Sequence, residues 1–342
     1  MLEVDGGRMG KTAYLLLGVF FALAAAARAQ EASNSFYETG PEVRYEAGVV
    51  TVEGEVENPG PVDLTGLPLR QAAVREVAWE DGEAVFKGAH FYSGYSLYDI
   101  LRARPVRKAR DDFRPETDLF VTVENAAGDK AVFSWGEIYY AADGFGALIA
   151  ASARSVTAPK RKTEKDWPLP PGPRLVAPRD LYNCRFIAAP SKITVRSLAG
   201  DFPGEKHEPV YAPAFSVTSA GGTFEVKGPG KAGVRTYEAA GYGHGTGFKG
   251  MKKVEGFLFK DVLARAGVSP RESGSYLVSV SAGDAYRAAF SLAELINRGD
   301  NADFLVVDNG RAKDGRFSLF SPADFFVDRN VRGMSRVGIT RP

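Results

Sequence analysis

The sequence predicts a mixed strand-and-helix fold written twice along one chain. Three observations carry this expectation. Valines alternate with polar residues as in half-buried strands, Ser-x-x-Glu boxes stand where short helices would open, and one set of short motifs recurs in the same order in both halves.

In the first half, Val50, Val52 and Val56 alternate with Thr51 and Glu53, so residues 50–56 read as a strand. Leu97, Ile100 and Leu101 have the three-and-four spacing that lays an apolar stripe along a helix. Val121 and Val123 mark a second strand. Ser134-x-x-Glu137 then offers an N-cap hydroxyl and a returning carboxylate, the capping box of a short helix. A final strand is expected around Ile193–Val195. The second half repeats the series: Val226 in a strand, Leu258, Val262 and Leu263 on a helix, Val278 and Val280 in a strand, Ser291-x-x-Glu294 as a capping box, and a last strand at Val337–Ile339. Asn309–Gly310 is a turn pair after the apolar run Phe304 to Val307. Superposing Asp99 on Asp261, Ser134 on Ser291 and Asp180 on Asp324 keeps the order while the offset shrinks, as when loops shorten and packed elements do not.

Composition bounds the class. The chain has 342 residues, 43 Lys+Arg against 42 Asp+Glu, and 38 glycines. A net charge of +1 argues against a general nucleic-acid binder, and the absence of a Gly period, a heptad run or several long apolar stretches excludes collagen, coiled coil and polytopic membrane proteins. The one long apolar stretch follows Lys11, runs from Leu15 to Phe21 and closes on Ala27–Arg28–Ala29, as in a signal peptide cut before Gln30. The expected organisation is therefore a signal peptide over 1–29, a loose segment over 30–45, copy one over 46–200, a linker over 201–215 and copy two over 216–342, with the mature protein periplasmic or secreted and carrying no membrane span. Cys184 is the only cysteine, so no intrachain disulfide forms, and His90, His207 and His244 lie too far apart for a zinc site of the usual spacing.

Gly94-x-x-Leu97-x-Asp99–Ile–Leu101, a strand followed by Gly128–Asp–Lys–Ala131 and Phe133–Ser–Trp–Gly–Glu137, and Gly172–Pro–Arg–Leu–Val–Ala–Pro–Arg–Asp180 leading to Arg185 and Lys192–Ile–Thr–Val195 stand in a distinctive order. Over about residues 48–198, and more weakly over about 223–340, this resembles the molybdopterin-binding domain of the sulfite-oxidase family. The resemblance implies two tandem α+β domains with mixed sheets, each of a type that holds a molybdenum pterin through a cysteine thiolate. That thiolate would fall within 74–91 or 232–254, and neither segment has a cysteine. Redox catalysis of the family type lacks the soft donor that molybdenum needs, whereas molybdopterin itself remains a possible ligand, since amides and cationic side chains can hold a phosphate and a flat heterocycle. Cys184 reads as a structural residue.

The densest glycine run, Gly241 to Gly250, carries His244 and Lys249, with Lys252 and Lys253 behind it; it is either a loop that approaches an anion or a tight connection. It is not a phosphate-binding P-loop, because Lys249 is followed by Gly rather than Ser or Thr. The matching segment of copy one brings His90 and Tyr92. Arg185 and Arg329 follow Asp180 and Asp324 at the same separation and read either as anion contacts, which the resemblance implies, or as local salt bridges. The basic loop from Arg154 to Pro173 reads as a solvated connection. No Ser/His/Asp arrangement and no metal set is legible. The expectation is an exported, noncatalytic binding protein with ligand-binding residues His90, Tyr92, Arg185, His244, Lys249 and Arg329. It would take a small anionic or pterin-like ligand or an envelope protein partner, with an atypically ligated molybdopterin oxidoreductase as the alternative.

Overall fold

The computed structural model describes residues 38–157, 167–202, 211–313 and 315–342. The expected signal peptide, the basic cluster Lys160–Lys165 and His207 lie outside the described residues. Among the described residues no helix is long and apolar enough to cross a membrane.

Copy one supplies β1 (Glu38–Thr39), β2 (Val43–Arg44), β3 (Val49–Gly54), β4 (Gly60–Asp63), β5 (Leu69–Glu80), β6 (Glu83–Ser96), β7 (Leu119–Asn125), β8 (Lys130–Ser134), β9 (Leu148–Thr157), β10 (Arg174–Val176), β11 (Ile187–Ala188) and β12 (Pro190–Ser197). Copy two supplies β13 (Phe215–Ser219), β14 (Gly222–Val226), β15 (Val234–Gly243), β16 (Gly247–Leu258), β17 (Leu277–Ala282), β18 (Arg287–Ser291), β19 (Leu305–Asp308), β20 (Phe317–Phe320) and β21 (Met334–Thr340). Four short helices are α1 (Leu97–Arg102), α2 (Trp135–Tyr139), α3 (Phe259–Ala264) and α4 (Leu292–Ile296).

These elements correct the expected fold class. With 48% strand and 12% helix, the chain forms four sheets in a four-bladed, propeller-like arrangement rather than two α+β domains with mixed sheets, and the molybdopterin-binding, sulfite-oxidase-like fold is not supported. The physical reason is that the helical signals are real but each spans only five or six residues. They are short turns wedged between strands, three of them capped by a serine. The strands missed in the sequence are the long ones: β5 and β6 pair from Leu69↔Tyr95 to Glu80↔Glu83, and β15 pairs β16 from Val234↔Phe257 to Gly243↔Gly247. Their outward positions are filled by Arg, Glu and Lys, which hides the strand alternation from a search for apolar residues. The segment expected to be loose contributes β1 and β2, both paired with β9.

The blades pair off between the copies. In copy one, β4-β3-β12-β7-β8 form a five-stranded sheet with β3 parallel to β12; in copy two, β14-β13-β21-β17-β18 repeat that order with β13 parallel to β21. The remaining blades are the seven-stranded sheet on the path β11-β10-β9-β6-β5, with β1 and β2 on β9, and the four-stranded sheet β15-β16-β19-β20. Each copy closes its own core, one around Val52, Leu97, Phe133 and Ile193, the other around Val217, Phe259, Phe290 and Val337. Each such side chain contributes about 1.5–3 kcal/mol on burial.

The two copies are joined by a reciprocal exchange. Leu181 N–H donates to Asn297 C=O at 2.7 Å and Gly299 N–H to Arg179 C=O at 2.8 Å; the counterparts are Phe325 N–H to Tyr140 C=O at 2.7 Å and Ala142 N–H to Ala323 C=O at 3.1 Å. Apolar contact among Phe120, Val132, Leu198, Leu277 and Ala289 closes the seam.

Candidate binding groove

The six residues singled out in the sequence fall in three places. Arg185 and Arg329 are 3% and 1% exposed and lie at the seam between the copies. Arg185 donates to both oxygens of Asp180 and of Glu137, and across the seam to Ser291 Oγ at 3.2 Å; Arg329 does the same with Asp324, Glu294 and Ser134 Oγ at 2.8 Å. Their guanidinium groups also stack on Phe133 and Phe290. These donors are consumed within the protein. Cys184 lies beside them, its Sγ 3.2 Å from Ser273 Oγ and 3.1 Å from Asn297 Nδ2, and burial pushes its thiol up to about 12, so it is a poor source of thiolate.

His90 and Tyr92 sit on one face of β6, 2% and 0% exposed, beneath the seven-stranded sheet. Sequence reading missed their partner, Glu76, which β5 places on the same face. The Tyr92 hydroxyl donates to Glu76 Oε1, His90 Nδ1 lies 2.8 Å from that oxygen, and Arg174 donates to Oε2 at 3.3 Å. His90 Nε2 has no hydrogen-bond partner among the described residues, and a Cβ on Gly88 would meet both His90 Cε1 at 2.8 Å and Trp167 Cβ at 2.7 Å. The alternation Val74–Glu76–Ala78 opposite His90 is the signal that could have found the carboxylate.

His244 and Lys249 belong to the β15–β16 hairpin, which leaves the body of copy two as a two-stranded arm. Its turn is built on Gly247 (φ 72°), and Gly250 (φ 91°) bends the returning strand, conformations that favour glycine. The Tyr237 hydroxyl anchors the arm by donating to Asn301 C=O at 3.0 Å and accepting from Asp303 N–H at 3.0 Å. Asp303 in turn pairs with Arg235 at 2.5 Å and Lys260 at 2.7 Å. At the tip, His244 N–H donates to Asp328 Oδ2 at 3.1 Å and its exposed ring stands edge-on to Phe326 at 5.3 Å.

Between this arm and the body runs a groove of about 940 Å³. Lys249, Lys252, Lys253 and Val254 of β16 form one wall, with Tyr286, Ser318, Ser321 and Arg332 across from them. Lys249, Lys252 and Lys253 are exposed and make no ion pair among the described residues. Ser321 is 5% exposed, and its Oγ is without a hydrogen-bond partner among the described residues. Tyr286 donates its hydroxyl to Asp328 C=O, and burial pushes that hydroxyl up to about 12, so it remains a neutral donor. Glu238, Glu255, Asp284 and Asp328 also reach the groove. Asp328 is turned to the His244 amide, and Glu255 accepts from Thr236 Oγ1 at 3.3 Å. Of the six residues, Lys249 lines the groove and His244 stands beyond its end, while Lys252 and Lys253, also marked in the sequence, line it too.

Among the described residues no three of His, Cys, Asp and Glu gather where a metal ion could be held. Comparison with protein-family models and with curated protein sequences finds no match to this chain.

Proposed function

We propose that this chain is a noncatalytic binding protein that takes an anionic ligand in the groove between the β15–β16 arm and the body of copy two. The observation that carries the reading is the set of three exposed lysines along β16 that line the groove and make no ion pair among the described residues. Lys ammonium groups suit carboxylate or phosphate oxygens, and a concave site of this size is of the order of known small-ligand pockets. The carboxylates with shifted pKa elsewhere, Glu76, Asp180 and Glu294, are held in ion pairs within the fold, which supports a structural role for them.

The test uses citrate as the anionic probe at constant ionic strength. Citrate in excess raises the melting temperature by about 2–4 °C, as a ligand that binds only the folded chain must. Replacing Lys249, Lys252 and Lys253 together by Ala abolishes the rise without lowering the melting temperature of the free protein, because the three side chains are exposed. An undiminished rise in that variant would refute the assignment of the groove.

A further inference from the structure

The repeat itself shows what the groove lacks. In copy one, β9 starts beside the N-terminus of α1 and runs along the second half of β6, pairing Ser96↔Leu148 and Tyr95↔Ile149, then continuing through Ser93↔Ser152, Tyr92↔Ala153 and Phe91↔Arg154 to His90↔Ser155. In copy two, β19 begins the same way, with Leu258↔Leu305 and Phe257↔Val306, and stops. It turns at Asn309–Gly310 into β20 instead, pairing Val307↔Ser318 and Asp308↔Phe317. The equivalence is close in detail: a Cβ on Gly94 would meet Ile149 C=O at 2.3 Å, and one on Gly256 would meet Val306 C=O at 2.6 Å. The part of β16 that corresponds to the covered stretch of β6, Lys252–Glu255, therefore pairs with β15 on one side and with no strand on the other among the described residues. The groove lies along that open edge.

We infer that the groove of copy two takes an extended, acidic polypeptide segment of a partner, which adds to β16 antiparallel at Lys252–Glu255 as the end of β9 adds to β6. This rests on the groove being the binding site and names its occupant. A strand edge with free N–H and C=O groups gives affinity through the main chain, and the side chains opposite give specificity. In copy one, Arg154 lies over the Phe91 ring at 4.7 Å; the residue at the Phe91 position of copy two is Lys253, so the complementary side chain becomes a carboxylate. A small residue such as Ala153, which faces Tyr92, suits the position facing half-buried Val254. A second copy of this edge is a poorer occupant, since lysines exposed along an open strand edge are the usual protection against self-association.

The experiment uses the full chain and a labelled peptide that copies residues 151–157 with Arg154→Glu. Fluorescence anisotropy is expected to show saturable binding that Lys253→Glu weakens about tenfold or more. The unaltered Arg154 peptide should show the opposite preference, binding the Lys253→Glu chain more tightly than the parent. Hydrogen exchange should find the alternate amides of Lys252–Glu255 that face away from β15 fast in the free chain and slowed by the peptide. Three results would each overturn the inference: equal affinity of parent and Lys253→Glu chains for the two peptides, open-edge amides already protected in the free chain, or a dimer in sedimentation that Lys253→Glu dissociates. Citrate stabilisation that survives while both peptides fail removes the strand-addition inference alone, whereas lysine-independent citrate stabilisation removes the anion-groove reading.

Discussion

Glu76 shows how one buried carboxylate can organise a blade. Burial by itself would raise its pKa, but His90, Arg174 and Tyr92 hold it below the ordinary value of 4.5. A depressed acid contributes stability that is fully present above the unfolded value and is lost as pH falls through the folded one, so this contribution disappears below about pH 4.5. The same carboxylate, together with burial, raises the Tyr92 hydroxyl and keeps it a donor. Glu76→Gln is expected to cost about 1.5–3 kcal/mol at neutral pH, the loss of hydrogen bonds to a charged acceptor. In urea unfolding followed from pH 7 to pH 3 it should also flatten the acid-side fall; an unchanged acid limb would show that Glu76 is not the group responsible. His90 and Tyr92 drew attention in the sequence because of their residue types, but type does not say which side of a strand is covered. That depended on β9, whose pairing to β6 is non-local and leaves no local pattern.

The short helices are where local sequence was most legible. Both capping boxes form as spaced: Ser134 and Ser291 accept from the N–H of Glu137 and Glu294, whose carboxylates accept from the serine amides in return. Helix α1 is capped by Ser96 and buries Leu97, Ile100 and Leu101, the residues that marked it. What could not be read is the second duty of these caps, since Ser134 Oγ also receives Arg329 from the other copy and Ser291 Oγ receives Arg185. Element α2 carries a further consequence. Gly136 sits in its first turn, and replacing a helical glycine by alanine ordinarily stabilises by about 1 kcal/mol. Here a Cβ would stand 2.2 Å from Arg329 Cδ and Nε, and that side chain is fixed by Asp324, Glu294 and Ser134, so it cannot swing aside cheaply. Overpacking of this kind costs about 1–3 kcal/mol and outweighs the propensity gain. Gly136→Ala should therefore lower the midpoint of chemical unfolding, whereas Gly245→Ala, with open space around its Cβ, should leave it nearly unchanged.

At the scale of the whole molecule, the repeat is a device for building the seam between its halves. Asp180 and Arg185 recur as Asp324 and Arg329, and Glu137 as Glu294, and the arginine of each set donates to the capping-box serine of the other copy. Four carboxylates and two guanidiniums leave this buried cluster short of positive charge, with Arg298 acting from nearby. Burial, reinforced by repulsion from Glu137 and Asp324 and opposed by Arg329, raises Glu294 to about 7. A carboxyl whose folded value exceeds its unfolded 4.5 binds a proton more readily in the folded state, so stability gains as pH falls from about 7 toward 4.5. That is opposite in sign to Glu76 and occupies a higher window. The protein should accordingly be more stable to urea at pH 5.5 than at pH 8 by about 1–3 kcal/mol, a shift of one unit being worth about 1.4 kcal/mol. Glu294→Gln, which keeps the shape and fixes the neutral state, should erase most of that difference while Glu76→Gln leaves it intact. Arg329→Met exposes the other side of the same balance: it strands Asp324 and Glu294 together and should cost about 3–5 kcal/mol at pH 8, less at pH 5.5, where one of the two can hold a proton. A Met variant equally damaged at both pH values would mean that the seam carries no titrating carboxyl, and that the two copies are held by packing of Phe120, Val132, Leu277 and Ala289 instead.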